Sequence, residues 1–86
     1  MKIRAKMLNL LAGTGLSQTE SAQVLQIYES SADGQAMTGR MDEDDSGHPP
    51  YLISAIWIAV QGAAVRWIDA NCPSHAARAG FVTGIF

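Results

Sequence analysis

Residues 15–27 read GLSQTESAQVLQI, and the fold turns on what this stretch is. Ser17 is a strong N-cap residue and Glu20 stands three positions later. Together they form a capping box, in which each side chain satisfies the backbone N–H of the other. A helix is therefore expected to begin at Ser17, with Ala22, Leu25 and Val24 turned inward and Ile27 closing the turn. Immediately upstream, residues 1–12 carry Ile3, Met7, Leu10 and Leu11 at the spacing of one helix face, and Gly13 and Gly15 end that run. Two helices joined by a short glycine-bearing turn open the chain.

Downstream, the pattern weakens and then strengthens. Residues 28–41 contain Ser30, Ser31, Gly34 and Gly39, each an interruption, although Ala36, Met37, Arg40 and Met41 can still make a short helix. Residues 42–50 form a loop of four acids, Ser46-Gly47 and the pair Pro49-Pro50, which bars helix until Tyr51. Residues 51–71 are apolar nearly all round. Ile53, Trp57, Val60, Ala64 and Trp67 follow a three-four spacing, and Ala55, Ala59, Gly62 and Ala63 make a second, smaller stripe. Two apolar faces require two things to bury them. One is the N-terminal helices, and the other is the same helix of a second subunit. A membrane span is the rival reading, but the uncharged run 51–65 falls short of about 20 residues and is interrupted by Gln61 and Arg66. Residues 72–86 follow as a tail. There Pro73 ends the long helix, Ser74 can cap a short one, and Phe81 to Phe86 is apolar enough to dock on the core or on a partner.

The chain has 86 residues, 48% of them apolar and 16% charged. That length suits a single domain of marginal stability, for which dimerisation is a common remedy. The single cysteine, Cys72, excludes an internal disulfide. The opening residues lack the apolar run of a signal peptide, which makes the cytoplasm the expected location. The formal charge is −2, which argues against a uniformly basic nucleic-acid binder, but it averages an uneven chain. Asp42, Glu43, Asp44 and Asp45 supply half of the eight acids, while Lys2, Arg4 and Lys6 supply half of the six bases.

The pattern Leu16-Ser17-Gln18-x-Glu20-x-Ala22-x-x-Leu25-x-Ile27 resembles the second helix of the lambda-repressor-like (Cro and XRE type) helix-turn-helix family. The approach Asp44-Asp45-Ser46-Gly47-His48-Pro49-Pro50 to an apolar helix resembles the start of the next core helix there. The layout is most similar to small phage-encoded regulators known as anti-CRISPR-associated proteins. The resemblance covers residues 7–65, with its specific matches in 15–27. It implies that Gln18 contacts a DNA phosphate from the helix start and that Ala22 lets the recognition helix cross closely. Two departures stand out: Gln26 occupies the turn where the family has glycine, and residues 28–40 are longer than a usual recognition segment and carry only one base, Arg40.

What this implies is an all-α domain of four or five short helices with a helix-turn-helix core and a long C-terminal apolar helix. Its expected task is that of a dimeric repressor on an inverted-repeat operator in double-stranded DNA, with no cofactor and no catalytic site. Lys2, Lys6, Ser17 and Gln18 are the candidates for phosphate contacts, and Ser31, Gln35, Thr38 and Arg40 for base contacts. The expected dimer anchors are Ile53, Trp57, Val60, Ala64, Trp67, Phe81 and Phe86. The competing expectation is a small inhibitor of phage or mobile-element type that uses Asp42, Glu43, Asp44 and Asp45 against a basic protein partner and binds no DNA.

Other motifs carry less. Asp42-x-Asp44-x-Ser46-Gly47 reproduces the first half of a calcium loop, but its twelfth position is Ile53 in place of the bidentate glutamate. Cys72 and His75 have a zinc-like spacing without a second ligand pair. Neither supports a metal site. Trp57 and Trp67, ten apart on the long helix, suit core or dimer anchors better than platforms for stacked bases.

Overall fold

A computed structural model of the chain describes residues 1–71. The short helix expected after Ser74, the Cys72–His75 spacing and the expected anchors Phe81 and Phe86 lie outside the described residues. The described chain is all-α: α1 (Ile3–Gly13), α2 (Gln18–Ser30), α3 (Ala32–Ala36) and α4 (Pro50–Asn71), with short 3₁₀ turns at Arg40–Asp42 and Asp45–Gly47 between α3 and α4.

α1 buries Ile3, Met7 and Leu11, one residue per turn, and leaves Leu10 at the rim. It stops where the Thr14 hydroxyl donates to the Leu11 carbonyl at 2.6 Å, and Gly15 then takes φ +102°, a backbone conformation that favours glycine. α2 starts as the sequence dictates. The Ser17 hydroxyl accepts from Glu20 N–H at 3.1 Å, and Ser17 N–H donates to the Glu20 carboxylate at 2.9 Å.

The inward face of α2 is Ser21, Val24, Leu25 and Tyr28. Val24 and Leu25 face inward as expected, but Ala22 is exposed and the small buried residue is Ser21. Nor does the chain turn at Gln26 and Ile27. Both are helical and exposed, and α2 runs on to Ser30. The reason is that Tyr28, 2% exposed, supplies one more buried turn and holds the helix on course.

Ser31 then makes a tight corner. Its hydroxyl donates to the Tyr28 carbonyl at 2.5 Å and accepts from Gly34 N–H at 3.1 Å, ending α2 and capping α3 with one side chain. The expected short helix from Ala36 to Met41 is replaced by α3, which ends at Ala36, and by the 3₁₀ turn at Arg40, with Met37 and Met41 pointing into the core. Gly39, at φ +89°, separates them.

α4 begins at Pro50, where a missing N–H costs nothing. It packs chiefly on α2, with α1 along its edge. Ile56, Val60, Ala63, Ala64, Trp67 and Ile68 are buried, each large apolar side chain being worth roughly 1.5–3 kcal/mol on burial. The Trp67 indole N–H donates to Gln23 Oε1 at 3.1 Å across the α2–α4 seam. α4 is long and apolar enough to cross a membrane, but in this fold its inner face is occupied by protein.

Candidate interaction surfaces

The N-terminal strip is stitched to the acidic loop. Ile3 N–H donates to the Glu43 carbonyl and Asp45 N–H to the Met1 carbonyl, both at 2.9 Å, with Lys2 and Asp44 forming an antiparallel bridge. Side chains repeat the pattern. Lys6 Nζ lies 3.1 Å from Asp45, Arg4 Nε lies 3.2 Å from Asp42, and the Arg4 guanidinium also pairs with Glu29 on α2. The N-terminal ammonium lies 3.0 Å from Asp44, and His48 meets Glu43 at 2.9 Å.

These contacts set the titration of the cluster. Hydrogen bonds from the Ser46 hydroxyl and backbone, then from the N-terminal ammonium, hold the Asp44 carboxyl well below the usual range. Lys6, followed by the N-terminal ammonium, lowers Asp45. Arg4 is raised by Glu29 first and by Asp42.

All four acids of the loop have partners inside the chain, while Asp42, Glu43 and Asp44 stay exposed, so the run is solvated and at the same time tied to the start of α1. Among the described residues no group of three or more His, Cys, Asp or Glu side chains is arranged to hold a metal ion.

The expected DNA contacts fall in separate places. Ser17 and Gln18 are exposed at the start of α2, and Gln18 borders α1 beside Ala12 and Asn9. Gln35, Thr38 and Arg40 are exposed beyond the other end of that helix, with Ser31 half-buried in its cap. Thirteen residues of helix, about 20 Å, separate the two groups. Lys6 is engaged by Asp45, while Lys2 is exposed beside Asp44.

The expected dimer anchors also divide. Val60, Ala64 and Trp67 are buried within this one chain, at 0%, 0% and 8% exposure, because α2 and α1 already cover them. Ile53 and Trp57 are half-buried. With Leu10, Pro50 and Ser54 they line a groove of about 550 Å³ whose rim holds Lys6, Asp45, Ser46 and His48.

The outer face of α4 carries two residues of the second, smaller stripe, Ala55 and Gly62, together with large apolar residues that neither stripe included. Tyr51 is 77% exposed and Ile58 67%, and Ser54, Ala55 and Gly62 lie exposed on the same side. A helical projection separates these positions from Ile56, Val60 and Trp67, which was the available signal.

Comparison with known proteins returns no match: no family model fits the chain, and no similar characterised protein or solved structure is found.

Proposed function

We propose that the chain is a small helical protein-interaction module, with the outer face of α4 and the adjoining groove as its contact surface. The observation that carries this reading is the exposure of Tyr51 and Ile58 on the longest and most apolar helix of the domain. Isolated apolar residues are ordinary at a protein surface. A continuous strip through Tyr51, Ala55, Ile58 and Gly62, with the Ile53–Trp57 groove beside it, is the kind of patch that marks a binding site. Its uncharged character suits a protein helix and offers nothing to a phosphate.

Sequence-specific DNA binding, as a dimeric repressor on an inverted repeat, is the second reading. It is favoured by Gln18, exposed in the first turn of a well-capped helix, and by Gln35, Thr38 and Arg40, exposed on one short segment. Against it, the ion pairs of Arg4 and Lys6 compete with phosphate, and Asp33, Asp42 and Glu43 lie near Arg40 in the chain.

A photo-crosslinking amino acid placed at Ile58 or at Gln35 in the cell of origin separates the two. The module reading expects a protein adduct from position 58 and no nucleic-acid adduct from position 35. A DNA adduct at 35 with none at 58 would reverse the order.

A further inference from the structure

We infer that the cleft between α4 and the corner joining α2 to α3 binds a small zwitterion, an α-amino acid with an apolar side chain. The inference goes beyond the interaction-module reading and stands without it. On α4, Ala59, Gly62, Ala63 and Arg66 follow one another at three- and four-residue steps and so share one face. Across from them lie Ile27 on α2 and Asp33 on α3. The cleft has a volume of about 370 Å³, at the lower end of the range for small-molecule sites.

Charge selects the occupant. Asp33 is the one acid among the described residues whose carboxylate meets neither a cation nor a hydrogen-bond donor. The Arg66 guanidinium likewise pairs with no acid among the described residues, and both side chains are exposed. They stand at opposite ends of the cleft. Asp33 and Ala59 also border a second hollow toward Ile56, whereas Arg66 and Ile27 border a third toward Gln26 and Ser30. Ala59 and Arg66 are seven residues apart, about 10 Å along α4. The cleft therefore offers an anion at one end, a cation at the other and an apolar wall between them.

A free α-amino acid supplies the complement. Its ammonium and carboxylate are about 3 Å apart, and a charge-assisted hydrogen bond of about 2.8 Å at each end brings the span to about 8–9 Å. A dipeptide adds about 3.5 Å and overshoots. An anion without an ammonium leaves Asp33 facing a like charge. An apolar side chain between the two charges lies against Ile27, Ala59 and Ala63, where Gly62 leaves room: a Cβ built on it meets nothing within 4 Å. Both protein charges are solvated, so each ion pair contributes little, and a dissociation constant of about 1 mM follows.

The test titrates L-leucine, then L-valine, into the full isotope-labelled chain and follows backbone amide shifts by NMR. Saturable shifts confined to residues 27–33 and 59–66 are expected. N-acetyl-leucine lacks the ammonium and leucinamide lacks the carboxylate, and each should bind roughly tenfold more weakly. Variants assign the two ends. Asp33→Asn should weaken leucine by a similar factor and leave N-acetyl-leucine unchanged, whereas Arg66→Gln should weaken leucine and leave leucinamide unchanged. Gly62→Leu, whose Cβ enters open space, should remove saturable binding and keep the helical circular dichroism. If Gly62→Leu fails to fold, the two charge variants decide. Shifts that stay linear with both amino acids, binding that ignores the loss of either charge, or binding that survives in folded Gly62→Leu overturns the inference. Such a failure leaves the interaction-module reading intact, since that reading uses neither charge.

Discussion

Gly34 comes so close to Tyr28 that a Cβ on residue 34 would stand 1.8 Å from the Tyr28 carbonyl oxygen. That oxygen is also the acceptor for Ser31, so the corner between α2 and α3 is closed by a residue without a side chain pressed on a hydrogen-bonded carbonyl. Gly34→Ala cannot be absorbed by a rotamer change, since the obstacle is backbone. A loss of about 2–3 kcal/mol or more is expected, read as a lower urea midpoint. Gly39→Ala, strained by its φ of +89° but with open space around it, should cost only about 1–2 kcal/mol. Equal losses at the two positions would mean that the corner opens easily.

The Ser17–Glu20 capping box predicts a separation between stability and binding. Ser17→Ala removes the acceptor for Glu20 N–H and should cost roughly 0.5–2 kcal/mol in urea unfolding. Gln18→Ala, at an exposed first-turn position, should leave stability within about 0.5 kcal/mol of the parent chain. Under the DNA reading it should nevertheless weaken a gel shift with the DNA upstream of the gene, and it should change nothing under the interaction-module reading.

Local chemistry was legible in the sequence, and tertiary partnership was not. The start of α2 and the start of α4 were readable because a capping box and a proline act on their own neighbours. The burial of Ser21 in place of Ala22 was not, because it depends on α1, whose Ala5, Leu8 and Asn9 lie beside Ser21. The ion pairs of the acidic loop were hidden for the same reason. Its partners Arg4 and Lys6 lie 38 and 39 residues off in sequence, so composition showed a run of charge without the cations that meet it. Residues 51–71 were correctly read as two-faced, yet the larger stripe went to the core of this same chain and left the Ile58 side outward.

The stitched N-terminus predicts acid sensitivity. Asp44 and Asp45 titrate below their ordinary range in the folded chain, so the folded state holds fewer protons than the unfolded one. Their contribution is complete above about pH 4 and is lost as the pH falls through the folded values. Thermal melts at decreasing pH should show a falling midpoint in that window, and Asp44→Asn with Asp45→Asn should flatten it. Tyr28 works from the alkaline side. Burial, then Asp33 and Glu29, raises its hydroxyl above the ordinary value of about 10, so its contribution persists below that pH and fades as the pH climbs through the raised value. Tyr28→Phe should remove this alkaline limb and leave the acid limb in place.

Two buried polar atoms, the Ser21 hydroxyl and the Gln61 amide nitrogen, have no hydrogen-bond partner among the described residues. Both residues are nearly inaccessible, at 1% and 3% exposure. A donor kept from water without an acceptor costs about 1–3 kcal/mol, and replacing it with an apolar group of similar shape recovers part of that. Ser21→Ala removes a single oxygen and improves helix propensity, so a gain of about 0.5–1 kcal/mol is expected, with Gln61→Met similar. Urea unfolding of each variant and of the pair decides the matter. Gains that add would show two independent unpaired groups, whereas a loss at either position would mean that its polar atom has a partner in the folded chain.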